Sequence, residues 1–112
     1  MVSCVRDAIP PGTLDMLVLQ RLARRGELHG FEIAEAIERA SAQVLQVEEG
    51  SLYPALQRMF VKGLVDAEWG RTSENRRARY YRLTPLGKRH LGQELESYRR
   101  VSFAIEQILR PA

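Results

Sequence analysis

The chain has 112 residues, 45% hydrophobic and 28% charged, which suits one domain with a modest core and the composition of a soluble globular protein. No apolar run approaches membrane-spanning length, no secretory h-region stands near the start, and the single cysteine, Cys4, cannot close an internal disulfide, so a reducing, cytoplasmic setting is expected. The net charge of +3 is unevenly spread: residues 71–90 carry seven basic residues against Glu74 alone, while 1–46 and 47–70 are both net acidic, and a localised basic block marks a nucleic-acid footprint more often than a solubility device.

Residues 1–11 have no periodicity and end in Pro10-Pro11; they read as a flexible, extended arm that stops at the first helix. Cys4 within the arm has only Arg6 as a basic neighbour and reads as inert. Gly12-Thr13 opens the first helix, with Thr13 at the N-cap, Asp15 in the first turn, and Leu14, Leu17, Val18 and Leu22 on its apolar face. Arg24-Arg25-Gly26 closes it. After the tight connection 27–30, a second helix runs from about Phe31 to Ser41. It is expected to bury Phe31, Ile33, Ala34 and Ile37 and to expose Glu32, Glu35, Glu38 and Arg39. Residues 42–46 form a brief connector in which Val44-Leu45 suggest a short strand.

The stretch from Val47 to Gly63 reads as a helix of about four turns. At about 100° per residue, Leu52, Leu56, Met59 and Phe60 share a face that must be buried. Ser51, Pro54, Gln57, Arg58 and Val61 share the opposite face, with Lys62 at its margin and Tyr53 on the boundary. Arg can bond guanine bidentately, Gln can do the same to adenine, and small apolar groups touch the thymine methyl, so this face suits base edges in a major groove. Two short helices on a short link, the second with a polar outer face, make a helix-turn-helix. Leu64 to Trp69 alternate as a half-buried strand, residues 70–77 are a polar loop, and Ala78 to Leu83 form a return strand. A β-hairpin with a basic tip beside a reading helix is a wing. Thr84-Pro85 then opens a final helix with Thr at the N-cap and Pro at N1. Leu91, Leu95, Tyr98, Ser102, Ile105 and Leu109 recur in it at heptad spacing, the seam of a dimerisation helix.

With these pieces in order, the chain resembles the short type of PadR-family transcriptional regulator. The matching residues include Gly12-Thr13-Leu14-Asp15, His29-Gly30-Phe31-Glu32-Ile33-Ala34, Gly50-Ser51-Leu52-Tyr53-Pro54-Ala55-Leu56, Glu68-Trp69-Gly70 and Arg79-Tyr80-Tyr81-Arg82-Leu83-Thr84-Pro85. The resemblance runs from about Gly12 to Gly87. It implies a winged helix-turn-helix, dimerisation through the C-terminal helix, and promoter repression relieved by a ligand. It also implies that Ser51, Tyr53, Pro54, Gln57 and Arg58 meet DNA and that Arg76, Arg77 and Arg79 form a basic wing. Two positions depart from the family pattern: Phe31 stands where Tyr is usual, and Asn75 where Gly is frequent. Asn tolerates positive φ, so the wing turn survives.

The expected class is therefore mainly α with a small β-hairpin (α+β): an arm at 1–11, a winged helix-turn-helix at 12–84, and a dimerisation helix at 85–112. The expected function is sequence-specific binding of double-stranded DNA as a homodimer, with repression of a palindromic operator. Ser51, Tyr53, Pro54, Gln57, Arg58 and Lys62 contact DNA from the reading helix, and Arg76, Arg77 and Arg79 hold phosphates. Arg82 is expected to pair across the hairpin with Asp66 or Glu68. One of Tyr80 and Tyr81 is core and the other reaches a phosphate. A small aromatic or amphipathic effector is expected at Trp69 or Tyr98, against plain core packing of the two rings. Glu48 and Glu49 diverge by about 100° on the helix and read as capping rather than acid–base chemistry. His29 lacks partners at ligand spacing and reads as structural. Neither an enzyme constellation nor a metal or cofactor motif is evident. The alternative function is a winged-helix protein-interaction module that never touches DNA; the basic block argues against it.

Overall fold

The computed structural model describes residues 6–111; Cys4 and the rest of 1–5, with residue 112, lie outside them. In chain order the elements are β1 (Asp7–Ala8), α1 (Leu14–Arg25), β2 (Leu28–His29), α2 (Gly30–Ala40), β3 (Leu45–Gln46), α3 (Glu49–Val61), β4 (Val65–Arg71), β5 (Arg77–Leu83) and α4 (Pro85–Leu109). This is the expected α+β class: four helices and a small antiparallel sheet, with a long C-terminal helix. Among the described residues, no helix is long and apolar enough to cross a membrane.

The core forms where α1, α2 and α3 meet the sheet. Val18, Leu19 and Leu22 of α1, Ile33 and Ile37 of α2, and Leu52, Ala55, Leu56 and Met59 of α3 are buried together with Leu64, Val65 and Tyr81. Burying apolar surface contributes about 25 cal/mol per Å², so this cluster is the main source of stability. Phe31, expected inside, is 66% exposed. Ile33, Ala36 and Ile37 define the inner stripe of α2, and Phe31 projects to its other side. Phe60 also differs from the expectation: it is 37% exposed at one edge of the α3 core face, while Ala55 at the other edge is buried.

Thr13 stands at the N-cap of α1, but its hydroxyl donates to the Pro10 carbonyl (2.7 Å) rather than capping the helix. His29 is the N-cap of α2, where the Glu32 carboxylate accepts from the His29 backbone N–H (3.1 Å). Glu48 takes the N-cap position of α3 without a side-chain bond, and Glu49 lies in the first turn.

The arm is more ordered than expected at Asp7–Ala8, which pair in parallel with Leu45–Gln46. The short strand of the connector is thus one residue later than Val44-Leu45. The Glu38 carboxylate ties the same place: it accepts from the Val47 N–H (2.9 Å) and lies 3.5 Å from the Arg6 guanidinium. Together these contacts fix the chain just before α3 begins.

The sheet has order β2-β5-β4, all antiparallel, so the connection 27–30 supplies a third strand beside the hairpin. Both hairpin strands run closer to the tip than the alternation suggests, and the turn closes through Thr72 and Arg76, with Asn75 at φ +62°. Arg82 lies opposite Asp66 in register, yet its guanidinium bonds Glu27 (3.3 Å) and neither Asp66 nor Glu68.

α4 starts as read: the Thr84 hydroxyl accepts from the Gly87 N–H (2.9 Å) and Pro85 is the first residue. The same hydroxyl donates to the Gly63 carbonyl (2.7 Å), and the Thr84 N–H donates to the Leu64 carbonyl (3.1 Å). This pins the helix start to the turn after α3. Leu91, expected in a seam with a partner, is 5% exposed and packs in the core of its own chain, with Leu95 half-buried beside it. Beyond them the helix leaves the domain: Tyr98, Val101, Ile105, Ile108 and Leu109 are exposed.

Candidate nucleic-acid interface

α3 buries Leu52, Ala55, Leu56 and Met59, and its rotation turns the opposite face outward. Ser51, Tyr53, Pro54, Gln57, Arg58, Val61 and Lys62 are all exposed. Pro54 lies inside the helix; lacking an N–H, it leaves the Gly50 carbonyl without its helical donor. Tyr53 is placed by what lies beneath it. A Cβ on Gly30 would come within 2.8 Å of the Tyr53 ring and hydroxyl, so the ring rests against the backbone at the start of α2 and only glycine leaves it room.

The hairpin stands next to this face. Directly opposed residues share one side of a sheet, so the pairings Ala67↔Tyr81, Trp69↔Arg79 and Arg71↔Arg77 put Trp69, Arg77 and Arg79 on the side of the core residue Tyr81. Arg79 reaches across to α3, its guanidinium carbon 4.7 Å from the Phe60 ring centre, and Arg77 lies 4.2 Å above the Trp69 ring. Cations over ring faces are held by the ring quadrupole, which restrains two of the wing arginines while leaving their N–H groups available. Arg76 is exposed at the tip, and Arg71 donates to the Asn75 carbonyl (3.2 Å) across the turn. Tyr81 is the core tyrosine. Tyr80 is half-buried, packs edge-on against His29, and its hydroxyl donates to the Arg71 carbonyl (3.1 Å).

Between wing and helices lies an open cavity of about 830 Å³, walled by Phe31, Tyr53 and Trp69 and by Arg76, Arg77 and Arg79, with Glu32, Glu35 and Glu74 also on it. It brings Tyr53 and the three wing arginines onto one concave surface. Ser51, Pro54, Gln57, Arg58 and Lys62 lie outside it, along the exposed face of α3. Tyr98 is not among its walls, so the two aromatic residues named for a ligand stand on different parts of the molecule. The described residues hold no group of three or more His, Cys, Asp or Glu side chains placed to bind a metal ion.

Residues 18–93 match the family described as PadR-like transcriptional regulators. The chain belongs to the PadR-like family. Its fold superposes on a transcriptional regulator from Clostridium thermocellum with a TM-score of 0.80, at 26% identity over 88% of this chain and 95% of that one. A PadR family transcription regulator from Clostridium difficile R20291 gives a TM-score of 0.75 at 30% identity, covering 88% of this chain and all of that one. The Bacillus subtilis PadR, determined in complex with operator DNA, gives 0.66 at 26% identity over 77% of this chain and 48% of that chain.

Four residues of this PadR-like chain contribute beyond the reading of the sequence. Asp15 accepts a hydrogen bond from Arg58 (3.2 Å), although 43 residues separate them and Asp15 reads as a helix-dipole residue. Glu38 reads as an outer-face charge but secures the approach to α3. Val101 and Ile108 widen the exposed apolar face of α4; the 3, 4 spacing of Tyr98, Val101, Ile105 and Ile108 was the signal available for them.

Proposed function

We propose that this protein is a sequence-specific DNA-binding repressor that works as a homodimer on a palindromic operator and releases it when a small aromatic or amphipathic effector binds. One observation carries the reading: the exposed face of α3 and a wing with Arg76, Arg77 and Arg79 stand side by side, with Tyr53 and the arginines on a single concave surface. Phosphate contacts position a protein on a duplex and base contacts specify the site. Gln57, Arg58, Ser51 and the apolar Pro54 have the chemistry for base edges. The wing arginines, with Lys62, have the chemistry for phosphates. The operator-bound Bacillus subtilis relative supports the choice of duplex DNA.

Two copies joined through Tyr98, Ser102, Ile105 and Leu109, with Val101 and Ile108 at the margin, bury apolar surface that one chain leaves in water. Such a pair offers two reading helices to successive major grooves, about 34 Å apart. Trp69 in the wing cavity and Tyr98 on α4 are the aromatic rings offered to an effector.

Mobility shifts on a duplex selected by the protein, against a scrambled duplex, test the assignment. Gln57→Ala is expected to lose affinity for the selected duplex only, and Arg76→Ala for both. Equal losses on both duplexes for every α3 variant would overturn the base-reading role.

A further inference from the structure

The Arg58 guanidinium does not hang free over the exposed face of α3. Its Nη2 donates to Asp15 Oδ1 at 3.2 Å, joining the C-terminal half of α3 to the first turn of α1. Both groups still meet solvent, with side chains 56% and 29% exposed. A guanidinium carries five N–H donors in a rigid fork, so one bond to a carboxylate leaves two or more for a base edge. A carboxylate beside a DNA-facing surface also repels phosphates, so a helix dipole alone is a poor reason to keep one there.

We propose that Asp15 is a positioning residue for sequence reading. Its carboxylate narrows the orientations of Arg58 to those that point the rest of the fork away from α1. Held by the carboxylate, the fork is also kept from swinging to phosphates, which every duplex offers, so a duplex without a base acceptor gains little from Arg58. The inference rests on the DNA-reading role of α3 and adds to it a discriminator that need not touch a base. Specificity is a difference between affinities, and an anion that denies wrong duplexes a contact raises it as surely as a contact to the right one.

The test uses the full chain and a randomised duplex pool. The sequence enriched by the unaltered protein is compared with a scrambled version of itself, and discrimination is the ratio of the two dissociation constants. Asp15→Asn keeps the size of the side chain and an acceptor oxygen but removes the charge. It is expected to tighten binding to the scrambled duplex and to lower discrimination by about fivefold, the lower end of what one bidentate base contact supplies. Asp15→Ala should lower discrimination in the same direction. In an Arg58→Ala background neither change should alter discrimination further, because the residue being positioned is gone; a merely structural Asp15 would act equally in both backgrounds. Unchanged discrimination in Asp15→Asn, or the same change with and without Arg58, overturns this inference and leaves the DNA-reading role standing. Failure of the unaltered protein to enrich any sequence overturns both.

Discussion

Gly87→Ala separates local helix propensity from packing, because the two predict opposite signs. Alanine in place of glycine within a helix is worth about 1 kcal/mol in its favour. At Gly87, however, the added Cβ would stand 2.0 Å from the Leu64 carbonyl oxygen and 2.9 Å from a Leu83 methyl, whereas real Cβ atoms essentially never approach within 3.0 Å. The first turn of α4 must therefore retreat by about 1 Å from a backbone carbonyl that has no rotamer to yield. That retreat breaks the bond from the Thr84 N–H to the Leu64 carbonyl (3.1 Å) and strains the Thr84 hydroxyl bond to Gly63 (2.7 Å). Two bonds at about 1 kcal/mol each and overpacking of about 2 kcal/mol, less the helix gain, leave a loss of about 3 kcal/mol. For a domain of this size that lowers Tm by roughly 12 °C. Thermal unfolding followed by circular dichroism measures it. A Tm equal to or above that of the unaltered protein would show that α4 does not dock here as described.

Two further outcomes concern the proposed roles. Ile105→Glu puts a charge into the exposed apolar face of α4 and is expected to yield a monomer in sedimentation, with DNA affinity lost because one reading helix remains; a stable dimer would refute the α4 interface. Gly30→Ala forces the Tyr53 ring aside and is expected to weaken duplex binding to the level of Tyr53→Ala, with no added loss in the double variant. Additive losses would mean that Gly30 acts on something other than Tyr53.

How far the sequence foretold the structure depends on the range of each interaction. Thr84-Pro85 announce a helix start because capping bonds span three residues, and the Leu64–Leu83 hairpin is evident because alternation and turn residues are local too. Periodicity assigns a face but not where the core ends: it puts Phe31 and Phe60 inside, whereas the structure turns Phe31 to solvent and leaves Phe60 at an edge under Arg79. A heptad likewise says that Leu91 needs apolar company without saying whose, and its own core supplies it. Two-residue strands carry no alternation, so the pairing of Asp7–Ala8 with Leu45–Gln46 left no signal. Side-chain bonds between distant positions, Arg82 to Glu27 and Arg58 to Asp15, leave none either. For the candidate interface, the residue types were legible while the restraints on their orientation were not.

The stacking of Arg77 on Trp69 has a practical consequence, since this is the chain's sole tryptophan. Indole emission is quenched and shifted by a nearby cation and by water, so the protein carries an intrinsic optical probe whose signal comes from the wing alone. Whatever draws Arg77 away from the ring, whether a phosphate or an effector, announces itself as a change in colour and brightness without any attached dye.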